Sequence, residues 1–257
     1  MFSLSNTIVC ITGASSGIGR ECADVFASAG ARLILLARRE DKLSALAHEI
    51  SERYGTASLQ RVCDVRNRTD VQRVFAELPA EWQPVDILIN NAGLARGMDV
   101  IQNGSIDDWE EMIDTNVKGL LYVTRAVLPA MAQRNKGMII NMGSIAGLET
   151  YPKGNVYCAT KAAVKALSEA MYIDTNGLGI RVCNIQPGMV DTDFSAVRFH
   201  GDTERARAVY KGVTPLCGRD IAEMALFAAT RPLHVNISDM VVYPVAQAKA
   251  TIVHRNI

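Results

Sequence analysis

The chain has 257 residues, of which 49% are hydrophobic, enough to bury one sizeable core in a single α/β domain. Lysine plus arginine equals aspartate plus glutamate at 27 each, so the chain lacks the excess positive charge typical of proteins that bind nucleic acid or anionic membranes. No apolar run approaches the ~20 residues that span a bilayer and no cleavable basic leader opens the chain, so we expect a cytoplasmic protein with small-molecule or protein partners.

Short apolar runs alternate with longer helical patterns along the chain. Strands are predicted at 7–12, 32–37, 58–65, 85–90, 137–143, 180–186 and 239–245. Between them, apolar residues recur at helical spacing. This alternation predicts repeated βαβ units and hence the α/β class: a doubly wound parallel sheet of about seven strands, with helices on both faces, in one domain covering residues 1–257.

A glycine-rich turn, "TGASSGIG", follows the first predicted strand. Gly13 can make the tight turn, Gly17 can admit a pyrophosphate close to the backbone, and Gly19 can let the next helix pack against the strand. The N-terminus of that helix presents free N–H groups to phosphates. The spacing differs from the common G-x-G-x-x-G, but the position between strand and helix predicts dinucleotide binding. We expect the cofactor to contact Gly13, Ser15, Ser16, Gly17, Ile18 and Gly19.

The second predicted strand ends in Arg38 and Arg39, with no acid before Glu40. An acidic residue there would bond the 2′-hydroxyl of NAD, whereas guanidinium groups can clamp the 2′-phosphate of NADP. We therefore expect NADP as the cofactor, with NAD less favoured. The alternative is that both arginines are merely solvated at the start of a helix.

Six motifs occur in an order and spacing that resembles the short-chain dehydrogenase/reductase family. They are "TGASSGIG", "NNAG" at 90–93, Asn116 in "MIDTNVKG", Ser144 in "NMGSIAG", "YCATK" at 157–161 and "QPGMVDTDF" at 186–194. The match covers almost the whole chain. Stretches such as "NNAGLARGMD" and the terminal "VHRNI" are similar to the NADP-dependent 3-hydroxy acid dehydrogenases of the serine or allo-threonine type. The resemblance implies a Rossmann fold and an oxidoreductase.

Tyr157 and Lys161 are four residues apart in a predicted helix. Because four helical residues advance about 400°, the two side chains share one face. A free phenol, with a pKa of ~10, is a poor base at neutral pH, and a nearby ammonium favours the phenolate. We expect Tyr157 to be the general base in alcohol oxidation and the general acid in carbonyl reduction.

Two further residues complete the expected catalytic set. Ser144, at the end of the fifth strand, can face the same cleft and stabilise the reacting carbonyl oxygen, so Ser144 and Tyr157 are the expected substrate contacts. By resemblance, Asn116 holds a water that relays protons to Lys161. The alternative for Asn116 is a core asparagine that distorts the long helix predicted at about 106–134.

The resemblance also implies cofactor contacts after the later strands. It places Asp64 and Val65 around the adenine, Asn91 and Gly93 against the ribose, and Pro187, Gly188, Val190 and Thr192 beside the nicotinamide carboxamide. Tyr157 and Lys161 also belong to the cofactor site. Without the resemblance, Asp64 would be a candidate helix cap.

The segment around 191–213 is the least regular part of the sequence and follows the sixth strand. Ligands bind outside the carboxyl ends of parallel strands, so this segment is a candidate substrate lid, with a plain surface loop as the alternative. A 3-hydroxy acid would need a cation to meet its carboxylate. The loops after strands four, five and six offer Arg96, Lys153, Arg198 and His200, each of which could instead be solvated.

The helices that carry Asn116 and Tyr157 are apolar along more than one face. A helix of this kind must bury both faces, which implies partner subunits. The resemblance implies a homotetramer, and a homodimer would satisfy the sequence equally well.

Six scattered cysteines form no CxxC pair and no cluster with histidine at metal-ligand spacing. Several lie in apolar runs, which favours buried, reduced thiols, and we expect no metal site. Cys158, beside Tyr157, is expected to be a packing residue.

Three hypotheses for function follow. The first is an NADP-dependent dehydrogenase of small 3-hydroxy acids, which also reduces 3-oxo acids or semialdehydes. The second keeps the mechanism but takes a bulkier ketone or 3-oxoacyl group. The third is a non-catalytic NADP-sensing scaffold, against which stands the presence of all four catalytic residue types.

Overall fold

The computed structural model describes residues 4–256 and is built on a seven-stranded parallel sheet. Its strands are β1 (Ile8–Thr12), β2 (Arg32–Ala37), β3 (Ser58–Val62), β4 (Ile87–Asn90), β5 (Gly137–Met142), β6 (Ile180–Pro187) and β9 (Asp239–Val242). Two shorter strands, β7 (Val190–Asp191) and β8 (Leu216–Cys217), pair with each other in a second sheet. The order β3-β2-β1-β4-β5-β6-β9 reverses direction between β1 and β4, which is where ligands bind in such folds.

Helices cover both faces of the sheet, as the sequence predicts. They are α1 (Gly17–Ser28), α2 (Glu40–Tyr54), α3 (Arg68–Ala76), α4 (Ile106–Ile113), α5 (Leu120–Arg134), α6 (Asn155–Asp174), α7 (Phe194–Arg198), α8 (Thr203–Ala208) and α9 (Gly218–Ala229). Short 3-10 turns occupy Ala80–Trp82, Ile101–Asn103 and Ile145–Gly147. Successive residues of β1 enter different cores: Val9 and Ile11 pack with α1, α2 and α9, whereas Ile8 and Cys10 pack with α3, α5 and α6.

Local signals explain where individual elements begin and end. The five residues of β1 form one fully buried apolar run, which is typical of a strand covered on both faces. Asn67 begins α3 by accepting hydrogen bonds from the N–H groups of Thr69 and Asp70. Gly55 ends α2 in the left-handed conformation, with φ 62°.

The structure shortens three predicted strands by two or three residues and divides one predicted helix. β3 ends at Val62, so the segment 63–65 lies beyond the sheet, where Asp64 turns the chain by accepting a hydrogen bond from the N–H of Arg66. β4 begins at 87 and β9 ends at 242. The helix predicted at about 106–134 is interrupted by a π-helical turn, Asp114–Gly119, which contains Asn116.

The segment around 191–213 contains two short helices, α7 and α8, and strand pairing and hydrogen bonds hold it close to both of its ends. The β7–β8 pairing joins Val190 to Leu216. The hydroxyl of Tyr210 donates to the carbonyl of Val190 at 2.7 Å and lies 2.9 Å from the hydroxyl of Ser195. The segment is therefore folded and is held by its own hydrogen bonds.

Three further observations concern the cysteines, the possible metal ligands and the helices. All six cysteines are free thiols, and Cys217 is the exposed one. Residues 4–256 contain no group of histidine, cysteine and acidic side chains arranged to hold a metal. Within the same residues, every helix is too short or too polar to cross a membrane.

Candidate functional site

A cavity of about 740 Å³ opens at the carboxyl ends of the sheet strands, across the point where strand order reverses. Each strand from β1 to β6 is followed by at least one residue that lines it. These are Gly13, Arg38, Asp64, Asn91, Ser144 and Gly188. Of the predicted catalytic and cofactor-binding residues, all but Gly19 and Asn116 line the cavity. The topology thus brings together residues from six separate regions of sequence.

The glycine-rich turn between β1 and α1 has the backbone geometry that the sequence predicts. Gly13 and Gly17 have φ of 66° and 53°, in the left-handed region that favours glycine. A Cβ on Gly19 would lie 2.3 Å from the carbonyl oxygen of Gly13, so a larger residue would separate helix from turn. The amide of Asn91 donates to the carbonyls of Thr12 and Gly13, at 3.0 and 3.2 Å, and ties the turn to the end of β4.

The end of β2 places two exposed arginines at the mouth of the cavity. Arg39 donates to the hydroxyls of Ser15 and Ser16, at 3.0 and 2.8 Å, so its guanidinium lies against the glycine-rich turn. Asp64, across the cavity, is engaged by Arg66, whose Nη2 lies 2.6 Å from its carboxylate. The groups available for a ribose 2′-substituent are therefore cationic, which fits the 2′-phosphate of NADP.

The carboxyl of Asp64 is held ionised beside these arginines. Burial alone would raise its pKa, but hydrogen bonds from Arg66 and the charges of Arg66 and Arg38 bring the pKa below its usual value. The carboxylate accepts from the backbone and the side chain of Arg66, so its oxygens are partly committed before any ligand arrives.

Tyr157 and Lys161 lie in the first turns of α6 and are both buried. The Nζ of Lys161 is 6.0 Å from the ring centre of Tyr157 and donates to the carbonyl of Met142 at 2.7 Å. Desolvation lowers the pKa of Lys161 to about 8, because burial disfavours the charged amine.

The phenol of Tyr157 has a pKa above its ordinary value. Burial is the main cause and Tyr151 adds to it, while a hydrogen bond with Ser144 and the charge of Arg198 act in the opposite direction. The sequence argument that Lys161 favours the phenolate is thus outweighed by burial among the protein's own groups. Burial thus favours the protonated phenol, and Tyr157 lines the cavity together with Ser144.

Asn116 joins three segments behind the cavity. Its Oδ1 accepts from the N–H of Leu94 at 2.9 Å, and its Nδ2 donates to the carbonyl of Leu94 and the hydroxyl of Thr160, at 2.8 and 3.0 Å. Both amide donors are therefore used. A Cβ on Gly93 would lie 3.2 Å from Oδ1 of Asn116 and 3.5 Å from Nζ of Lys161, so glycine here lets both groups approach the end of β4.

The cover formed by α7 lies directly over Tyr157. The ring of Phe194 is 5.6 Å from that of Tyr157, centre to centre, and Arg198 lies 5.1 Å above the same ring. Arg198 also donates to the hydroxyl of Tyr151 at 2.6 Å. This end of the cavity is thus enclosed by aromatic rings and one guanidinium.

The other three loop cations face elsewhere. Arg96 forms an ion pair with Glu111 at 2.6 Å. The ring of His200 lies 3.2 Å from Asp108. Lys153 is exposed and, like Arg96 and His200, is not part of the cavity lining.

Sequence reasoning missed the contribution of the C-terminal segment to the site. Five residues of this segment line the cavity: Gln247, Ala250, Thr251, Val253 and Arg255. Gln247 accepts a hydrogen bond from the N–H of Met189 at 2.8 Å, and Glu149 accepts one from the N–H of Ala250 at 2.7 Å. These contacts join positions about 58 and 101 residues apart, so no local pattern signals them.

Cys158, next to Tyr157, is buried in a small core that also contains Leu94, Met112 and Tyr157. Burial raises the pKa of its thiol. This agrees with the packing role expected from the sequence.

Comparisons with known proteins agree with this geometry. Residues 7–202 match the family model of the short chain dehydrogenases. The chain is 47% identical to an NADP-dependent 3-hydroxy acid dehydrogenase of Salmonella typhi over 97% of this chain and 100% of the relative. It is 44% identical to an NADP-dependent 3-hydroxy acid dehydrogenase of Schizosaccharomyces pombe, over 99% of each chain. It is also 45% identical to sulfoacetaldehyde reductase 2 of Chromohalobacter salexigens, over 94% and 95%.

A solved structure provides a match of comparable extent. The closed form of a serine dehydrogenase complexed with NADP⁺ superimposes with a TM-score of 0.91 at 44% identity, covering 97% of this chain and 100% of that one.

Proposed function

The chain belongs to the short-chain dehydrogenase family, and we propose that it is an NADP-dependent oxidoreductase of small 3-hydroxy acids. In reverse it reduces the matching 3-oxo acid or semialdehyde. The observation that carries the proposal is the pairing of Tyr157 with Ser144 in a cavity that also exposes a cationic rim at the end of β2. The full-length similarity to NADP-dependent 3-hydroxy acid dehydrogenases supports the substrate class.

NADP, when bound, supplies or accepts the hydride. The glycine-rich turn would hold its pyrophosphate through the N-terminus of α1, and Arg38 and Arg39 would hold its 2′-phosphate. The remaining contacts follow the family: Asp64 and Val65 at the adenine, Asn91, Gly93, Tyr157 and Lys161 at the ribose, and Pro187, Gly188, Val190 and Thr192 at the carboxamide. Their shared position on the cavity wall supports this arrangement.

Tyr157 is proposed to move the proton. In reduction its phenol donates a proton to the substrate oxygen, a role that suits a group whose pKa burial keeps high. In oxidation the side chain must first lose this proton, and the phenolate oxygen then takes the proton from the alcohol. The hydroxyl of Ser144 donates a hydrogen bond to the substrate oxygen, and the amine of Lys161 offsets negative charge as it develops on the phenol.

Asn116 is proposed to act through its neighbours. Its hydrogen bonds to Leu94 and Thr160 fix the loop after β4 against the first turns of α6. This places Lys161 beside Gly93 and the end of β5. The water relay to Lys161 remains part of the proposal, carried by the resemblance alone.

The size of the closed space favours a small substrate over a bulky ketone. Phe194 and Arg198 lie within 5.6 Å and 5.1 Å of the Tyr157 ring, and Tyr151 is bonded to Arg198. We propose that residues 191–213 act as the lid over this space, within one functional unit that includes the whole chain, 1–257.

We also propose a homotetramer, with a homodimer as the simpler alternative. The helices α4, α5 and α6 expose apolar side chains that one sheet cannot cover. They are Ile106, Ile113, Leu121, Tyr172 and Ile173. Burial of these side chains by a second copy would stabilise the assembly. Free buried thiols further support a cytoplasmic location, where thiols stay reduced.

The proposal is tested by following NADPH absorbance with a panel of substrates. We expect NADP⁺-dependent oxidation of 3-hydroxypropionate, serine or allo-threonine to exceed turnover of acyl thioesters and bulky ketones. Equal, feeble rates on all the acids would contradict the substrate class. A catalytically silent protein that still binds NADPH would favour the scaffold hypothesis instead.

A further inference from the structure

Arg198 ends helix α7 with its guanidinium inside the cavity lining. It lies 5.1 Å from the ring centre of Tyr157 and 5.7 Å from that of Tyr151, and it donates through Nη2 to the hydroxyl of Tyr151. Its Nε is buried and has no hydrogen-bond partner among the described residues. An N–H donor of this guanidinium is therefore unsatisfied beside the reacting end of the site.

The charge of Arg198 is also without a counter-charge. None of the ion pairs formed within residues 4–256 includes Arg198, whereas the neighbouring Arg96 is paired with Glu111. Aromatic rings offset part of the cost of withdrawing a guanidinium from water. An unpaired, partly buried charge still costs free energy, and an anionic ligand beside the guanidinium would remove that cost.

The backbone of the α7 terminus is held in place by the loop after β4. The carbonyl of Arg198 accepts from the N–H of Gly97 at 2.9 Å, and the carbonyl of Val197 accepts from Nη1 of Arg96 at 2.6 Å. The guanidinium of Arg96 is paired with Glu111, so Arg96 holds the end of α7 in place and does not bind the ligand. Arg198 is thus presented to the cavity by a preformed framework.

We propose that Arg198 binds the anionic end of the substrate, a carboxylate or a sulfonate, while Tyr157 and Ser144 bind the reacting oxygen. This inference rests on the proposed function and identifies which of four loop cations determines the preference for acids. The guanidinium belongs to a residue that lines the cavity and forms no ion pair among the described residues, and the outer N–H groups of an arginine suit two oxygens of one anion. Both anions offer such oxygens, and one relative of this chain is named for a sulfonated aldehyde.

The test compares anionic and neutral substrates in Arg198→Gln and Arg198→Lys. The substrates are 3-hydroxypropionate, 2-hydroxyethanesulfonate and methyl 3-hydroxypropionate. Loss of a charged hydrogen bond predicts about a 10- to 100-fold fall in kcat/KM for the preferred anion, mainly through KM. The methyl ester and the KM for NADP⁺ should change less than about threefold, and Arg198→Lys should recover part of the loss because it restores the charge.

Arg207→Gln is the matched control, since Arg207 lies in the same cover but is exposed and outside the cavity lining. Its kinetics should follow the wild type. Equal losses on ester and acid in Arg198→Gln would overturn the inference, because they would mean a general role in closing the cover. The two anions distinguish a carboxylate site from a sulfonate site, and a tenfold preference for either one supports the inference.

Failure of the proposed function would be recognised separately. It would appear as a wild-type enzyme that oxidises neither acid. Calorimetric titration of 3-hydroxypropionate and of 2-hydroxyethanesulfonate into protein saturated with NADPH then tests Arg198 without turnover. Weaker binding to Arg198→Gln, by the same 10- to 100-fold, supports the inference, and equal or absent binding to both proteins overturns it.

Discussion

The two ends of the cavity are built in contrasting ways. The proposed catalytic floor consists of Ser144, Tyr157 and Lys161, and Asn116 supports it from outside the cavity lining. The proposed cofactor rim consists of Ser15, Ser16, Arg38 and Arg39. Tyr157, Lys161 and Asn116 are buried, and burial shifts the pKa of Tyr157 upward and of Lys161 downward. At the rim, both arginines are exposed.

This contrast suggests that the buried floor carries out proton transfer and that the exposed rim determines which cofactor is preferred. Groups withdrawn from water interact strongly and have perturbed proton affinities, which proton transfer requires. Exposed guanidinium groups act as charged hydrogen-bond donors that choose between cofactors, and their effect is screened by salt. Changes in the floor should therefore alter turnover with any cofactor, and changes at the rim should alter preference for one cofactor.

Replacing Tyr157 should have the largest effect. Tyr157→Phe keeps the ring packed against Phe194 but removes the proton that the mechanism needs. We expect kcat to fall about 1,000-fold or more, in line with the loss of a general acid-base group, with NADPH affinity within about threefold. Stopped-flow turnover and fluorescence titration with NADPH measure the two quantities. Unchanged turnover would remove Tyr157 from the mechanism.

Replacing Arg39 should change cofactor preference at the rim. Arg39→Asp removes the guanidinium bound to Ser15 and Ser16 and adds a carboxylate that repels a 2′-phosphate. The KM for NADPH should rise about 10- to 100-fold, while the KM for NADH stays level or falls. Arg68→Ser, at the exposed start of α3, is the control. An equal rise for both cofactors would indicate damage to the glycine-rich turn instead.

Replacing Asn116 should lower stability as well as rate. Asn116→Ala leaves the N–H and carbonyl of Leu94 and the hydroxyl of Thr160 without their buried partner. We expect the free energy of unfolding to fall by about 2–3 kcal/mol in urea titrations. Asn103→Ala, on an exposed 3-10 turn, should change it by less than about 0.5 kcal/mol. Similar values for the two variants would contradict the role assigned to Asn116.

The smallest effect is a pH dependence of stability caused by Lys161. The pKa of the Lys161 amine is about 8 in the folded protein, against an ordinary value of 10.5 that applies to the unfolded chain. Between these two pH values, the unfolded chain holds a proton that the folded protein has released. The free energy of unfolding of the wild type, relative to that of Lys161→Met, should therefore rise by about 1 kcal/mol from pH 8 to pH 9. Paired urea titrations measure this difference, and other titrating groups are common to both proteins. A difference that stays level or falls as the pH rises would contradict the lowered pKa of the buried Lys161 amine.

Much of the framework can be predicted from the sequence, because buried parallel strands are continuous apolar runs. All seven strands of the main sheet fall within three residues of the predicted limits. The glycine-rich turn is equally legible, since Gly13 and Gly17 adopt positive φ and Gly19 admits a carbonyl at a distance that excludes a side chain. Such features depend on neighbours in sequence.

Other features depend on contacts between distant segments and were not predictable. The π-helical turn at Asn116 is stabilised through Leu94 and Thr160, which lie 22 and 44 residues away. The C-terminal segment reaches the cavity through Gln247. The sequence offers four loop cations as possible partners of the substrate, and only the fold shows that Arg198 is the one that lines the cavity. Burial is also the main cause of the raised pKa of Tyr157, and the spacing of Tyr157 and Lys161 in the sequence does not predict it.

The most direct test of the division between floor and rim is the ratio of kcat/KM for NADPH to that for NADH, measured for the wild type, Tyr157→Phe and Arg39→Asp. We expect Tyr157→Phe to lower both values about equally and leave the ratio unchanged, while Arg39→Asp lowers the ratio about 10- to 100-fold. A ratio that shifts in Tyr157→Phe, or one that stays level in Arg39→Asp, would contradict the account.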